Sequence, residues 1–172
     1  MIAPAIRRLG PIDQADYRII RLDALKHNPE AFGSTFEIEQ ARPIAEFEQR
    51  LTDNIVFGAY AEGTIVGMAG FRQQAGQKDA HKGYVWGLYV QPNYRGTGIG
   101  SALLHALILV AQTLVEQVTL SIVNGNDPAA TLYRKFGFQI YGIEPRALKT
   151  ADGYNDEIHM IKFLKSADDT CQ

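Results

Sequence analysis

Arg95-Gly96-Thr97-Gly98-Ile99-Gly100 is a run of residues able to grip an anion. Three glycines at alternate positions leave backbone N–H groups uncovered by Cβ atoms. A helical pattern from Ser101 to about Glu116 follows them directly. Free N–H groups and the helix dipole favour negative charge at such a terminus, most naturally a phosphate or pyrophosphate. Arg95 adds a charged fork at the mouth of the loop. An ordinary strand–Gly–helix turn has a similar composition, and two better-known phosphate motifs do not fit. A dinucleotide fingerprint needs Gly where Ser101 stands, and a P-loop needs Lys-Ser or Lys-Thr after the last glycine.

A second element, Asn126 to Phe138, carries a tyrosine whose hydroxyl could serve chemistry. Asp127 reads as a helix N-cap and Pro128 as a first-turn residue. Ala129, Leu132, Tyr133 and Phe136 recur at helical spacing, so they predict one buried stripe. Gly137 supplies a left-handed stop, and Phe138 opens the next apolar run. Each of these residues has a structural use, and Tyr133 on that stripe must still place its phenol.

Together the two elements resemble the GNAT N-acetyltransferase family. Its cofactor loop reads Arg or Gln, two variable residues, Gly, one variable residue, then Gly or Ala; Arg95, Gly98 and Gly100 match. Its later segment is matched by Asn126, Ala129, Leu132-Tyr133 and Gly137-Phe138. The resemblance weakens between about residues 25 and 55 and at the C-terminus. It implies an α+β fold: a mixed, mostly antiparallel sheet with a splayed parallel strand pair, flanked by helices. It also implies acetyl-CoA as co-substrate, with the acetyl group passing by direct attack to a primary amine, and no metal. By resemblance, backbone N–H groups near Tyr89 and Val90 hold the thioester carbonyl. Arg95 and the amides of Gly96, Gly98, Ile99, Gly100 and Ser101 hold the pyrophosphate, Asn126 bonds the pantetheine arm, and Tyr133 protonates the departing sulfur. A phenol with a pKa near 10 is neutral at work, as that role needs.

The general base is not assigned. Ribosomal-protein N-terminal acetyltransferases of this family carry Glu on the strand after the long helix, and the matching position here is Ser121. Glu37, His81, Tyr154 and Glu157 are candidates, each with an ordinary structural reading, and a water relay is an equal alternative. Phe32, Phe36, Trp86 and Tyr154 form either an aromatic wall for the acceptor, with Glu37 attracting a cationic amine, or simply core. The acceptor class stays open between small molecules and peptides. Two other functions compete: a non-catalytic acyl-CoA-binding module, and a nucleotide-dependent oxidoreductase, which Ser101 disfavours.

The elements that must position these residues alternate without repeats. Ala5 to Leu9 reads as a strand, Asp13 to about His27 as a helix ended by Pro29, and Pro43 to Leu51 as a second helix. Ile55 to Ala61 and Thr64 to Phe71 flank a tight Glu62-Gly63 hairpin, and Gln73 to His81 is loop. The strand Tyr84 to Val90 feeds the glycine loop; the long helix should bury Ile99, Leu103, Ala106, Val110 and Leu114. Val118 to Val123 reads as a buried parallel strand, and Phe138 to Glu144 and Ile158 to Leu164 as the last two, with Asp152-Gly153 between them.

With 172 residues the chain suits one domain over 1–165 and a polar tail over 166–172. A composition of 46% hydrophobic and 21% charged residues is that of a soluble globular protein. The net charge of −2 gives no general attraction to nucleic acid or an anionic membrane. No stretch reaches transmembrane length, there is no signal-peptide core, and the lone Cys171 cannot form an internal disulfide. The expectation is a cytoplasmic transferase, and a homodimer is compatible with it.

Overall fold

Turn chemistry sets the register of the central hairpin. Between β2 (Ile55–Ala61) and β3 (Thr64–Gln73), Glu62 and Gly63 both take positive φ, 50° and 79°, and Ala61 pairs with Thr64. This is the two-residue loop whose twist matches that of antiparallel strands. The other strands are β1 (Ala5–Leu9), β4 (Lys82–Val90), β5 (Gln117–Val123), β6 (Gln139–Thr150) and β7 (Gly153–Phe163). The computed structural model, which describes residues 4–165, joins them in a seven-stranded mixed sheet ordered β1-β2-β3-β4-β5-β7-β6. Its parallel pair is β4 with β5; the ladder runs from Lys82 and Gln117 to Tyr84 and Thr119 and ends there. Cys171 and the 166–172 tail lie outside the described residues.

The chain divides into two compact units. The first takes the described residues up to Arg72 together with Trp86–Val110. In it, α1 (Gln14–His27) and α3 (Ile44–Asp53) bury Tyr17, Ile20, Ala24, Phe47 and Leu51 in one cluster with Leu9, Val56, Ile65, Met68 and Tyr89. Tyr17 and Phe47 meet edge to face, with ring centroids 6.0 Å apart. A short helix, α2 (Phe36–Gln40), escaped the sequence pattern. Tertiary charge pairing anchors it: Glu39, only 1% exposed, accepts from Arg21 at 2.7 Å and from Arg50 at 2.8 Å. Burial pushes the Glu39 carboxyl up, but the two guanidinium groups outweigh it and hold the pKa at about 2.

The second unit takes Gln73–Val85 and the described residues from Ala111 onward. Strand β5 alternates strictly: Val118, Leu120 and Ile122 are buried, whereas Thr119 and Ser121 on the other face are partly open. It pairs antiparallel with β7 along its whole length, from Gln117 opposite Phe163 to Val123 opposite Glu157. That pairing extends β7 well beyond the expected Ile158 start. Edge strand β6 also outruns its expected end, with a register shift between Glu144 and Leu148. Arg146 sits there at φ 55°, and its N–H donates to Asp156 Oδ1 at 2.7 Å.

Two further expectations need correction. In α4 (Ile99–Leu114) the buried residues are Ile99, Leu103, Leu104, Leu107 and Ala111, while Leu114 is 43% exposed. Apolar residues surround this helix, so the sequence alone leaves the phase of its buried stripe undetermined. The N-cap of α5 (Asp127–Lys135) is Asn126, not Asp127: Asn126 Oδ1 accepts from Ala129 N–H at 3.3 Å. The helix stops as expected. Gly137, at φ 84°, donates to Arg134 O and Phe138 to Tyr133 O, which satisfies two terminal carbonyls.

Candidate active site

The glycine loop leaves β4 and enters α4 within the first unit. Gly96 and Gly98 adopt φ of 76° and 88°, and a Cβ built at either would meet no protein atom within 4 Å. These positions are therefore glycine for their backbone shape and the free space above them, not for tight internal packing. The first bond into α4 is Ala102 N–H to Gly98 O at 3.0 Å. The N–H groups of Ile99, Gly100 and Ser101 precede that ladder and have no acceptor among the described residues. A left-handed loop followed by a bare helix N-terminus is a fitting cradle for a pyrophosphate. Tyr89 and Val90 lie just upstream, so every expected cofactor residue of this unit clusters at one strand-to-helix junction.

Arg95 does more inside the protein than a charged fork at the mouth. Its Nε donates to Val90 O at 3.0 Å and one terminal nitrogen to Asn28 Oδ1 at 2.6 Å. The guanidinium thereby ties the end of β4 to the C-cap of α1. Tyr89 is fastened to the same helix, its hydroxyl donating to Asp23 at 2.8 Å. Burial, and then that bond to a carboxylate, pushes the Tyr89 phenol up.

In the second unit, α5 carries both Asn126 and Tyr133. Because Asn126 Oδ1 serves the cap, its Nδ2 is the part left to donate outward; among the described residues it has no acceptor. Tyr133 is 6% exposed, with its ring edge to face with Phe138 at 5.6 Å. Burial, with a smaller push from Tyr84, raises its phenol, so Tyr133 stays protonated across the working range. A buried phenol kept neutral holds the proton that a departing thiolate takes up.

Ser121 has an unexpected neighbour. Directly across the ladder stands His159 of β7, with its Nδ1 2.7 Å from Ser121 Oγ. The other ring nitrogen, Nε2, lies 3.3 Å from Glu144 Oε2 of β6. The Tyr141 ring leans on the imidazole at 5.9 Å between centroids. Sequence reasoning missed His159. No local signal marks Ser121 and His159, since both strands carry other polar residues, and only register shows that they meet.

The sequence model of the acetyltransferase (GNAT) family matches residues 21–138. The chain belongs to the GNAT acetyltransferase family. It is accordingly an acetyl-CoA-dependent N-acetyltransferase. It is 37% identical over 116 residues to the N-alpha-acetyltransferase RimI of Mycobacterium tuberculosis, covering 65% of this chain and 72% of that protein. It is 36% identical over 90 residues to the spermine/spermidine N(1)-acetyltransferase of Bacillus subtilis, covering 49% of this chain and 59% of that protein. Its fold resembles that of yncA, a putative acetyltransferase from Salmonella typhimurium solved with acetyl-CoA: TM-score 0.79 at 22% identity, over 95% of each chain.

The remaining candidates of this GNAT protein are scattered. Glu37 is exposed on α2, and the carbonyl of His81 accepts from Glu116 N–H at 2.8 Å. Tyr154 is 53% exposed, with the guanidinium of Arg146 over its ring at 5.1 Å. Phe32 and Trp86 pack against the core of the first unit, which is the structural reading of those aromatics. Glu157 stands opposite Glu144 and two residues before His159 on β7.

Proposed function

We propose that this protein transfers the acetyl group of acetyl-CoA directly to a primary amine, with residues 1–165 acting as one catalytic domain. The observation that carries the reading is the loop: left-handed Gly96 and Gly98 beneath open space, followed by the unpaired amides of Ile99, Gly100 and Ser101. Acetyl-CoA supplies an acyl thioester, electrophilic at carbon and ready to release a thiolate. The loop amides bind its pyrophosphate, and Asn126 Nδ2 donates to the pantetheine arm. Backbone N–H groups near Tyr89 and Val90 stabilise charge on the carbonyl oxygen. Tyr133 protonates the leaving sulfur. The names of the relatives supply two acceptor types to try first, polyamines and peptide α-amines.

An acceptor panel with thiol release as readout tests this. The expected outcome is saturable acetyl-CoA binding by calorimetry and amine-dependent thiol release for at least one class. Saturable binding without release across the panel would make the protein an acyl-CoA-binding module. Saturable NADH binding would restore the oxidoreductase reading, which the family match argues against.

A further inference from the structure

Neither strand of the parallel pair, β4 nor β5, carries a carboxylate, yet an alkylammonium acceptor must lose a proton before its nitrogen can attack. The one strongly hydrogen-bonded hydroxyl on the open face of β5 is Ser121, bound to His159 at 2.7 Å. From the juxtaposition of Ser121, His159 and Glu144 we infer a proton relay, in which the acceptor's ammonium gives its proton to His159 by way of the Ser121 hydroxyl. The inference rests on the proposed function and supplies the base that function needs.

The geometry fixes the direction of transfer. Glu144 Oε2 lies 3.3 Å from Nε2, in ion-pair range, so its charge favours a proton on that nitrogen and leaves the Nδ1 lone pair facing Ser121. Ser121 Oγ–H then donates to Nδ1, while the oxygen lone pairs are left for the incoming ammonium. As the ammonium N–H bond breaks, its proton goes to Oγ and the Ser121 proton goes to Nδ1. The result is a neutral amine and an imidazolium beside the Glu144 carboxylate. The amine nitrogen then bonds to the acetyl carbon, the carbon–sulfur bond breaks, and Tyr133 gives its proton to sulfur. The second nitrogen proton passes to solvent, from which Tyr133 is reprotonated. His159 also returns its proton to solvent, its side chain being 25% exposed.

The groups next to His159 suit a cationic acceptor. The groups facing His159 from the flanking strands are Ser121 of β5 and Tyr141 and Glu144 of β6, with Glu157 two residues away on β7 itself. No cation is among them. A cavity of about 350 Å³ opens beside Tyr141, lined also by Thr119, Ile161 and the opposed charges of Asp79 and Lys82. Thr119 and Ile161 are the same-face neighbours of Ser121 and His159, so a small amine has room next to the relay.

The test compares an accepted alkylamine with its β,β,β-trifluorinated analogue, whose amine is already neutral at pH 7. In His159→Gln, kcat/KM for the alkylamine at pH 7 should fall roughly 10²-fold and recover as pH rises towards the amine's own ionisation. For the fluorinated amine it should change less than threefold. Glu144→Gln should show the same selectivity with a smaller loss, and acetyl-CoA affinity should be unchanged in both variants. Equal losses on the two amines, or an alkylamine rate within threefold of wild type, would overturn the relay. So would an acetyl group found on Ser121 by mass spectrometry, which would make the serine a nucleophile. A wild-type protein that binds acetyl-CoA yet acetylates no amine would instead sink the proposed function, and the relay with it.

Discussion

Replacing Gly98 by alanine separates two costs that usually arrive together. With φ at 88° and no protein atom within 4 Å of the added methyl, the free protein suffers backbone strain and no collision. A left-handed conformation costs an L-residue roughly 1–2 kcal/mol. For a chain of this size the melting temperature should then fall by about 2–8 °C. The methyl occupies the space proposed for a phosphate oxygen, so at least one charge-assisted bond from the loop is lost. Such a bond is worth about 1.5–3 kcal/mol, which predicts acetyl-CoA binding weaker by roughly 10- to 150-fold. Gly63 supplies the control: its φ is 79°, its Cβ would also meet nothing within 4 Å, and it sits in the β2–β3 hairpin, not in the loop. Gly63→Ala should lose similar stability and no affinity. The measurements are thermal unfolding and calorimetry with acetyl-CoA on both variants at one ionic strength. A folded Gly98→Ala protein that binds within twofold of wild type, or a Gly63→Ala protein that weakens equally, refutes the assignment of the loop.

Tyr133→Phe keeps the buried ring and its edge contact with Phe138 while removing the proton donor. Binding and melting temperature should hold, while turnover on a validated amine falls on the order of 10²-fold; turnover within a few-fold of wild type would make Tyr133 structural. The Glu39 carboxyl, held at about 2 in the folded protein against an ordinary 4.5, stabilises the fold fully above the ordinary value. That contribution, at most about 3 kcal/mol, drains away as pH falls from near 4.5 towards 2. Glu39→Gln should be markedly less stable at pH 7 and should lose this part of the acid-side decline; parallel pH curves for the two proteins would show that the charge pairing with Arg21 and Arg50 contributes little.

What the sequence made legible was local. The Glu62-Gly63 hairpin, the Gly137 stop and the glycine loop depend on residues adjacent in the chain, and all three formed where expected. Helix α2 was not legible, because five residues carry too little periodicity and its anchor, Glu39, reaches partners on α1 and α3. The phase of α4 failed for the opposite reason: with apolar residues all round, the pattern fits more than one stripe. Asn126 and Asp127 are both good capping residues, and only the bond to Ala129 N–H distinguishes them. At the candidate site, the loop and Tyr133 could be found by motif. His159 could not, since its meeting with Ser121 depends on the register of β5 against β7, set by the whole ladder and not by either strand alone.

The irregular middle of β6 bears on how this protein avoids sticking to itself. A twelve-residue edge strand with Ile140, Tyr141 and Ile143 exposed would ordinarily offer a long row of unpaired backbone groups to another chain. Pro145 has no N–H to offer, and the N–H of Arg146 is turned to the Asp156 carboxylate at 2.7 Å. The free edge is thus cut into two short runs at the point where the register shifts. Straightening it, by replacing Pro145 and Arg146 with ordinary strand residues, would lengthen the template and invite sheet-to-sheet aggregation at the very strand that carries Glu144.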